Sequence, residues 1–130
     1  MTEMEVAEIT SSNLEVVAAL MGNYATHVGI YLSLAFGYCV AAYAAGEKLS
    51  RFQVIVASCM FVAATELQII LMATYVNASQ ELLLRTSEIN PMLERPANSD
   101  WRQVWGITIW QLGILASLSF MWSVRRSEKD

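Results

Sequence analysis

Apolar residues fill three long stretches of this chain, and charged residues lie almost entirely outside them. Residues 16–46 and 103–124 contain no Asp, Glu, Lys or Arg, and residues 52–80 contain a single charged residue, Glu66. A helix of about 20 mainly apolar residues crosses a hydrocarbon core about 30 Å thick, and each stretch reaches that length. The pattern predicts an all-α integral membrane protein, built as a bundle of three transmembrane helices.

Polar residues at the borders of the apolar stretches predict where each helix begins. A serine followed three residues later by Glu or Gln can form a capping box, in which the two residues satisfy backbone N–H groups of the first turn. The chain has three pairs of this kind: Ser12 with Glu15, Ser50 with Gln53 and, with aspartate in place of serine, Asp100 with Gln103. The predicted helices cover residues 13–45, 51–89 and 101–124, approximately, within a single domain of residues 1–130.

Residues that disfavour helices follow the first two predicted helices. Gly46 is placed to end the first helix in the left-handed conformation of a helix cap. Asn90 precedes Pro91, and the residue before a proline resists helical conformation. The second helix is therefore predicted to run well past the membrane and to form, with the start of the first, a two-helix projection. A break in the second helix at residues 77–79 is the alternative.

Basic residues are distributed unevenly among the segments outside the predicted helices. The first loop carries Lys48 and Arg51, the carboxyl-terminal tail carries Arg125, Arg126 and Lys129, and the segment before residue 16 carries no base. Lys and Arg concentrate on the cytoplasmic side of membrane proteins. The bundle is therefore predicted to run up, down and up through the cytoplasmic (inner) membrane, with its amino terminus outside and its carboxyl terminus inside.

One face of the first helix carries small residues at four-residue intervals. They form a groove almost without side chains, which we call the small-residue groove: Ala25, Gly29, Ser33, Gly37, Ala41 and Ala45. In lipid, helices associate mainly through close backbone approach and van der Waals contact, so the groove predicts a helix–helix contact. Its partner is either another helix of the same chain or a neighbouring subunit. Gly106, Gly113 and Ser117 give the third helix a weaker surface of the same kind.

Glu66 is the strongest candidate for a functional residue, because it lies within an otherwise uncharged stretch. A charged side chain at membrane depth costs about 2.5 kcal/mol or more, and burial favours the neutral form of a carboxyl. We therefore expect Glu66 to be protonated at neutral pH and to face the interior of the bundle. It either joins two helices through a neutral hydrogen bond or marks a proton path.

Three further polar residues are predicted to lie near the level of Glu66. A rise of about 1.5 Å per residue, counted from the predicted membrane boundaries, brings Tyr31 and Gln111 to the same level. The membrane interior favours polar groups that satisfy one another. His27 lies on the same helical face as Tyr31, one turn further out. It is expected to bond to a tyrosine or to water, with a proton relay to Glu66 as the alternative.

Composition narrows the classes of function. The net charge is −4, and the chain lacks the basic patch that nucleic-acid binding requires. Cys39 and Cys59 lie within apolar stretches without metal-binding spacing, so they are expected to act as small core residues. We find no set of catalytic residues, no phosphate-binding loop and no metal or cofactor motif. The expectation is a protein that is not an enzyme, with the bilayer and other membrane subunits, or further copies of itself, as partners.

Two functional hypotheses follow from these patterns. The first is a small accessory or assembly subunit of the cytoplasmic membrane, which acts through helix–helix contacts. The alternative is a homo-oligomeric pore, holin-like or proton-conducting, in which Glu66 lines the path. The three-helix plan with an outer amino terminus resembles the topology of one class of phage holins, and this likeness is one of topology alone. Three helices enclose no wide route, so the pore requires oligomerisation.

Overall fold

The computed structural model describes residues 2–46, 48–94 and 100–126, without the side chains of residues 100–103, 125 and 126. The described residues form three helices and no strand: α1 (Glu3–Ala45), α2 (Arg51–Ile89) and α3 (Asp100–Arg126). All three contain a segment long and apolar enough to cross a membrane. The prediction of an all-helical chain with three candidate membrane spans is therefore confirmed for the described residues.

Helix α1 begins earlier than the capping box at Ser12 predicts. Its N-cap is Thr2, whose Oγ1 accepts a hydrogen bond from the backbone N–H of Glu5 (3.3 Å), while the Glu5 carboxylate accepts one from the backbone N–H of Thr2 (2.7 Å). The predicted start near residue 13 is therefore wrong. Because no glycine or proline separates the two boxes, the helix continues through Ser12 and uses the upstream box instead.

Helix α2 has the predicted bounds. Ser50 and Gln53 form the expected capping box, and the helix ends at Asn90, whose backbone is extended before Pro91 (φ −119°, ψ 98°). The helix is continuous through residues 77–79, so the alternative with a break there is excluded.

The predicted start of α3 is one residue too late, since the helix begins at Asp100. The proposed cap at Asp100 depends on a side chain outside the described residues.

Gly46 ends α1, but not in the left-handed conformation that we predict from sequence. Its backbone is right-handed helical (φ −57°, ψ −36°), and its N–H still donates to the carbonyl of Ala42. No described residue has a positive φ. A glycine suits this position for a different reason, because an added Cβ would collide with the Ala42 carbonyl oxygen.

Helices α1 and α2 pair along most of their length. Side-chain hydrogen bonds join them at three levels: Asn13 with Thr86, His27 with Gln68, and Tyr38 with Ser58. Residue numbers rise along α1 as they fall along α2, so the two helices are antiparallel. Because Asn13 and Thr86 lie beyond the apolar stretches, the paired helices continue past the predicted spans as a hairpin.

The beginning of α1 packs against the end of α2 through small polar side chains. Asn13 Nδ2 donates to Thr86 Oγ1 (3.0 Å), and Asn90 Nδ2 donates to Thr10 Oγ1 (3.4 Å). Thr86 is 1% exposed, whereas Leu14 is 40% exposed on the outer surface of the hairpin. Hydrogen bonds between small polar side chains therefore help to hold this end of the hairpin together.

Asn13→Ala is expected to loosen this end of the hairpin. The substitution removes the hydrogen bond to a buried hydroxyl, and such a bond contributes about 1 kcal/mol. Amide hydrogen exchange should accelerate in residues 79–89 of α2 and stay unchanged near Ser58. Ser12→Ala, at the exposed neighbouring position, is the matched control. Equal exchange in the two variants would show that the Asn13–Thr86 bond does not hold the hairpin together.

Aromatic side chains form the interior where the three helices meet. Tyr38 stacks on Phe61 with ring centroids 4.2 Å apart, and Tyr31 packs edge-to-face against Trp110 at 4.9 Å. Tyr31 and Phe61 belong to one buried cluster, to which all three helices contribute side chains. The core of the bundle therefore lies on one side of α1, and on another side, at Gly29 and Gly37, an added Cβ would meet no described atom.

Candidate functional site

Glu66 and Gln111 are joined by hydrogen bonds between α2 and α3. Gln111 Nε2 lies 2.9 Å from Glu66 Oε1 and 3.0 Å from Oε2, and it donates to both. Both side chains are half-buried. Counting the helical rise from the sequence put Glu66 and Gln111 at one level, and the structure joins these two residues, which are 45 positions apart in the chain. The bond connects α2, which ends at Ile89, with α3, which begins at Asp100.

The Glu66–Gln111 pair is compatible with either protonation state of the carboxyl. A carboxylate has only acceptors, which suits two hydrogen bonds from one amide nitrogen. A protonated carboxyl carries one donor, and rotating the Gln111 amide by half a turn would present its oxygen as the acceptor. The pair can therefore remain bonded whether or not Glu66 carries a proton. Because the distances fit both states, the expectation that Glu66 is protonated stays a prediction.

The Tyr31 hydroxyl does not bond to Glu66. It donates instead to the backbone carbonyl of Trp110 on α3, at 2.6 Å. A helical carbonyl oxygen has a second lone pair after its bond within the helix, and Tyr31 uses that lone pair. Tyr31 is 2% exposed, so the hydroxyl satisfies its hydrogen bonding inside the bundle. Tyr31 therefore ties α1 to α3, next to the bond by which Glu66 ties α2 to α3.

Gly113 makes room for the Tyr31 hydroxyl. A Cβ added at Gly113 would lie 2.5 Å from the Tyr31 hydroxyl oxygen, a distance that real side chains do not tolerate. The sequence places Gly113 in a small-residue surface and gives no sign of this specific role. Tyr31 and Gly113 are far apart in the chain. Their contact depends on which sides of α1 and α3 face each other, and the sequence alone does not give this.

His27 belongs to a separate cluster on the α1–α2 interface. Its Nδ1 lies 2.7 Å from Gln68 Oε1, and its ring stacks on Tyr75 with centroids 5.4 Å apart. Because an amide oxygen only accepts, Nδ1 is the donor. The hydrogen-bond partner of His27 is thus Gln68 and not the predicted tyrosine, Tyr75 only stacks on its ring, and no direct bond to Glu66 forms. The sequence did not identify Gln68 or Tyr75 as partners, although all three residues lie near the same level of the hairpin.

The small-residue groove faces away from α2 and α3. Five of its six members are exposed, and only Ala45 is half-buried. A Cβ added at Gly29 or at Gly37 would meet no atom of the described residues within 4 Å. The hypothesis that another helix of the same chain covers the groove is therefore wrong. The opposite face of α1, with Tyr31 and Tyr38, is the face that packs inside the bundle.

The hydrogen bonds of His27, Tyr31 and Glu66 each join two helices. Within residues 2–46, 48–94 and 100–126, no three His, Cys, Asp or Glu side chains are grouped so that they could bind a metal ion. Cys39 and Cys59 are free thiols.

Compared with known proteins, the chain matches no family model, no curated protein and no solved structure.

Proposed function

We propose that this chain is an accessory or assembly subunit of the cytoplasmic membrane, which acts by packing its first helix against a partner helix. The observation that carries the proposal is the exposure of the small-residue groove at Gly29 and Gly37, where the structure has open space. A surface of this shape lets two helix backbones approach closely, and in lipid that approach is the main source of helix association.

The two faces of α1 support a partner from outside the chain. One face buries Tyr31 and Tyr38 against the other two helices. The groove occupies the opposite face, so α2 and α3 cannot reach it without dismantling that core. Large exposed residues border the groove, among them Phe36, which is 73% exposed. Small residues flanked by large ones offer a shape into which a second helix can fit.

The proposed orientation places the amino terminus outside and the carboxyl terminus inside. The antiparallel bonds between α1 and α2 support an up-down order. Tyr24 and Gly106 line one crevice, and one to two turns further along both helices Tyr31 bonds to Trp110, which supports α3 as a third helix that runs parallel to α1. Lys48 and Arg51 between the first two helices favour the cytoplasmic side for that loop. The hairpin beyond the membrane, with Asn13 and Thr86, then projects outside as a second surface for contact.

The polar pair at Glu66 has a structural role in this proposal. A carboxyl and an amide that are hydrogen-bonded within lipid resist separation, because separation would leave both side chains without a hydrogen-bond partner. The competing proposal is a homo-oligomeric pore, in which the groove contacts a second copy and Glu66 lines a proton path. Blue-native electrophoresis of the tagged protein separates the two. A stable heteromeric band supports the accessory subunit, and a homomeric ladder supports the pore.

Gly37→Leu is expected to abolish this assembly band, because the leucine holds the two backbones apart. The comparison variant is Leu34→Ala, which trims a side chain that packs against the chain's own core. That variant should lower the temperature of unfolding in detergent and retain the assembly band. The measurement is the fraction of protein in the band for each variant. Equal loss of the band in both variants would contradict a docking role for the groove.

A further inference from the structure

Exposed aromatic side chains from all three helices lie at one level, near the turn that joins α1 to α2. Tyr43, Phe52 and Trp122 are 78%, 75% and 54% exposed. The bond between Tyr38 and Ser58 fixes the relative level of α1 and α2. At a rise of about 1.5 Å per residue, Tyr43 lies about 7.5 Å beyond Tyr38 and Phe52 about 9 Å beyond Ser58, towards the same end.

Trp122 on α3 joins this level. The bond from Tyr31 to the Trp110 carbonyl fixes the level of α3 relative to α1. Tyr43 follows Tyr31 by twelve residues, and Trp122 follows Trp110 by twelve, so both lie about 18 Å further along parallel helices. Tyr43, Phe52 and Trp122 therefore form a ring around the bundle, which we call the turn-side ring.

Two further aromatic side chains mark a second level, on the other side of Tyr31. Tyr24 precedes Tyr31 by seven residues, and Trp105 precedes Trp110 by five, which places them about 10 Å and about 8 Å from the level of the Tyr31–Trp110 bond. Trp105 is 61% exposed, and Tyr24 is half-buried. We call this pair the hairpin-side ring, because the paired ends of α1 and α2 begin beyond it.

The surface of α1 between the two rings suits a hydrocarbon solvent. Its large exposed side chains there are apolar, among them Ile30, Phe36 and Val40. The hydroxyls of Thr26 and Ser33 are exposed as well, but each donates to a backbone carbonyl of its own helix. Such bonds satisfy a hydroxyl where no water is present. The exposed surface of α1 between the rings thus offers no hydroxyl without a hydrogen bond.

Exposed amide side chains begin just beyond the hairpin-side ring. Asn23 precedes Tyr24 on α1 and is exposed. Asn77 on α2 is exposed too, and it lies nine residues past Gln68, which the bond to His27 places one turn inside the ring. Both amides belong to the uncharged stretches of the sequence. The surface therefore turns polar before those stretches end.

The spacing of the rings is close to the thickness of a hydrocarbon core and much shorter than the first uncharged stretch. Tyr24 and Tyr43 are nineteen residues apart and Trp105 and Trp122 seventeen, which correspond to about 28 Å and about 26 Å. Residues 16–46 would extend about 46 Å as a helix, whereas a typical core is about 30 Å thick. Trp and Tyr are enriched at both interfaces of a membrane.

We propose that the two rings lie at the two surfaces of the bilayer, around a hydrocarbon core about 26–28 Å thick. A single helix with an overlong apolar stretch can tilt to immerse all of it. Here hydrogen bonds hold the three helices at fixed levels, so α1 cannot tilt independently of α3. Residues 16–23 of α1 therefore lie outside the core although they carry no charge.

This placement gives the hairpin a height above the membrane. Glu3 precedes Tyr24 by twenty-one residues, so α1 reaches about 32 Å beyond the hairpin-side ring. The bond between Asn13 and Thr86 then lies in water, well clear of the lipid. The placement depends neither on a partner at the small-residue groove nor on which side of the membrane the hairpin occupies.

The test measures how fast a membrane-impermeant maleimide labels single cysteines in dioleoylphosphatidylcholine vesicles. Cys39 and Cys59 are first replaced by alanine, and each variant must keep wild-type helix content by circular dichroism. The deciding variant is Met21→Cys, at an exposed position inside the uncharged stretch and beyond the ring. Ser12→Cys, at an exposed position on the hairpin, is the standard for water, and Leu32→Cys, exposed between the rings, is the standard for lipid.

Maleimide reacts with the thiolate, which forms in water and not in hydrocarbon. We expect Met21→Cys to be labelled within about threefold of the rate of Ser12→Cys, and Leu32→Cys at least about tenfold more slowly. Because all rates are taken relative to Ser12→Cys, the orientation of the chain in the vesicles cancels. Labelling of Met21→Cys as slow as that of Leu32→Cys would place the bilayer surface nearer residue 16 and overturn the proposal.

Nitroxide labels on the same cysteines, attached in detergent before reconstitution, give an independent measurement of depth. Oxygen concentrates in the hydrocarbon core, and a water-soluble nickel chelate stays outside it. Relaxation by nickel should dominate at Met21→Cys and relaxation by oxygen at Leu32→Cys, and dominance of oxygen at both positions would also overturn the proposal. The same pattern is expected with Gly37→Leu added, so the result stands or falls separately from assembly through the small-residue groove.

Discussion

Gly113→Ala is expected to destabilise the bundle by about 1–3 kcal/mol relative to Gly106→Ala, the range typical of overpacked interiors. The added methyl group would lie 2.5 Å from the Tyr31 hydroxyl oxygen, so the tyrosine must move and its bond to the Trp110 carbonyl must lengthen or break. At Gly106 the same methyl group meets no atom of the described side chains within 4 Å. Both variants gain the same helix propensity from alanine, so their difference isolates the clash.

The free energy of unfolding should be measured by denaturant titration in mixed micelles, with tryptophan fluorescence as the probe. Tyr31→Phe supplies the internal control, because it removes the oxygen that clashes and leaves a ring whose nearest carbon is 3.5 Å from the added Cβ. In that background, Gly113→Ala and Gly106→Ala should have similar effects. Residues in direct contact couple in this way, and distant residues do not. A penalty for Gly113→Ala that persists without the hydroxyl would contradict the proposed contact.

The three candidate membrane spans were predictable because a lipid solvent sets the length and composition of the helices that cross it. A lipid interior requires long apolar helices and excludes charges such as those of Lys48 and Arg51. The bounds of α2 followed for a local reason, since Ser50 caps its start and Pro91 prevents its continuation. The start of α1 did not follow, because Thr2 and Ser12 carry the same capping signal and the sequence does not say which is used. Only the continuous helix through Ser12 decides between them.

The levels of the candidate-site residues along the helices were predictable, whereas the hydrogen-bond partner of each side chain was predictable only in part. The helical rise places Glu66, Gln111 and Tyr31 at one height, and two of the three indeed bond to one another. The Tyr31 hydroxyl donates to the Trp110 carbonyl instead. A backbone carbonyl gives no signal in the sequence, since every residue has one. The same holds for the space that Gly113 provides.

The small-residue groove shows a different limit of sequence reasoning. The four-residue spacing indicates a packing face, and the structure places that face outside the chain's own core. Spacing defines a surface and does not identify what covers it, because Gly29 and Gly37 would look the same beside α3 or beside another protein. The burial of Tyr31 and Tyr38 on the opposite face decides this point, and it depends on the complete three-helix arrangement.

Glu66→Leu is expected to lower the free energy of unfolding by about 1–3 kcal/mol, because it leaves the Gln111 amide without its partner inside the bundle. Glu66→Gln should change it far less, since a second amide can donate to and accept from Gln111 at a similar distance. The double variant Glu66→Leu with Gln111→Leu should recover much of the loss, because replacing both polar partners by apolar groups removes the unsatisfied group. The same mixed-micelle titration measures all three variants.

The Glu66→Gln variant also decides between the two proposed functions, because glutamine keeps the hydrogen bond and cannot titrate. In an accessory subunit, Glu66 acts only through its bond to Gln111, so the variant should assemble normally and the vesicles should show wild-type proton permeability. In a proton-conducting pore, the same variant should assemble normally and lose proton flux, as measured with a pH-sensitive dye trapped in the vesicles. The Glu66–Gln111 bond lies within one chain and needs no second copy. We therefore expect unchanged assembly and no change in flux, and a loss of flux with intact assembly would overturn the accessory role.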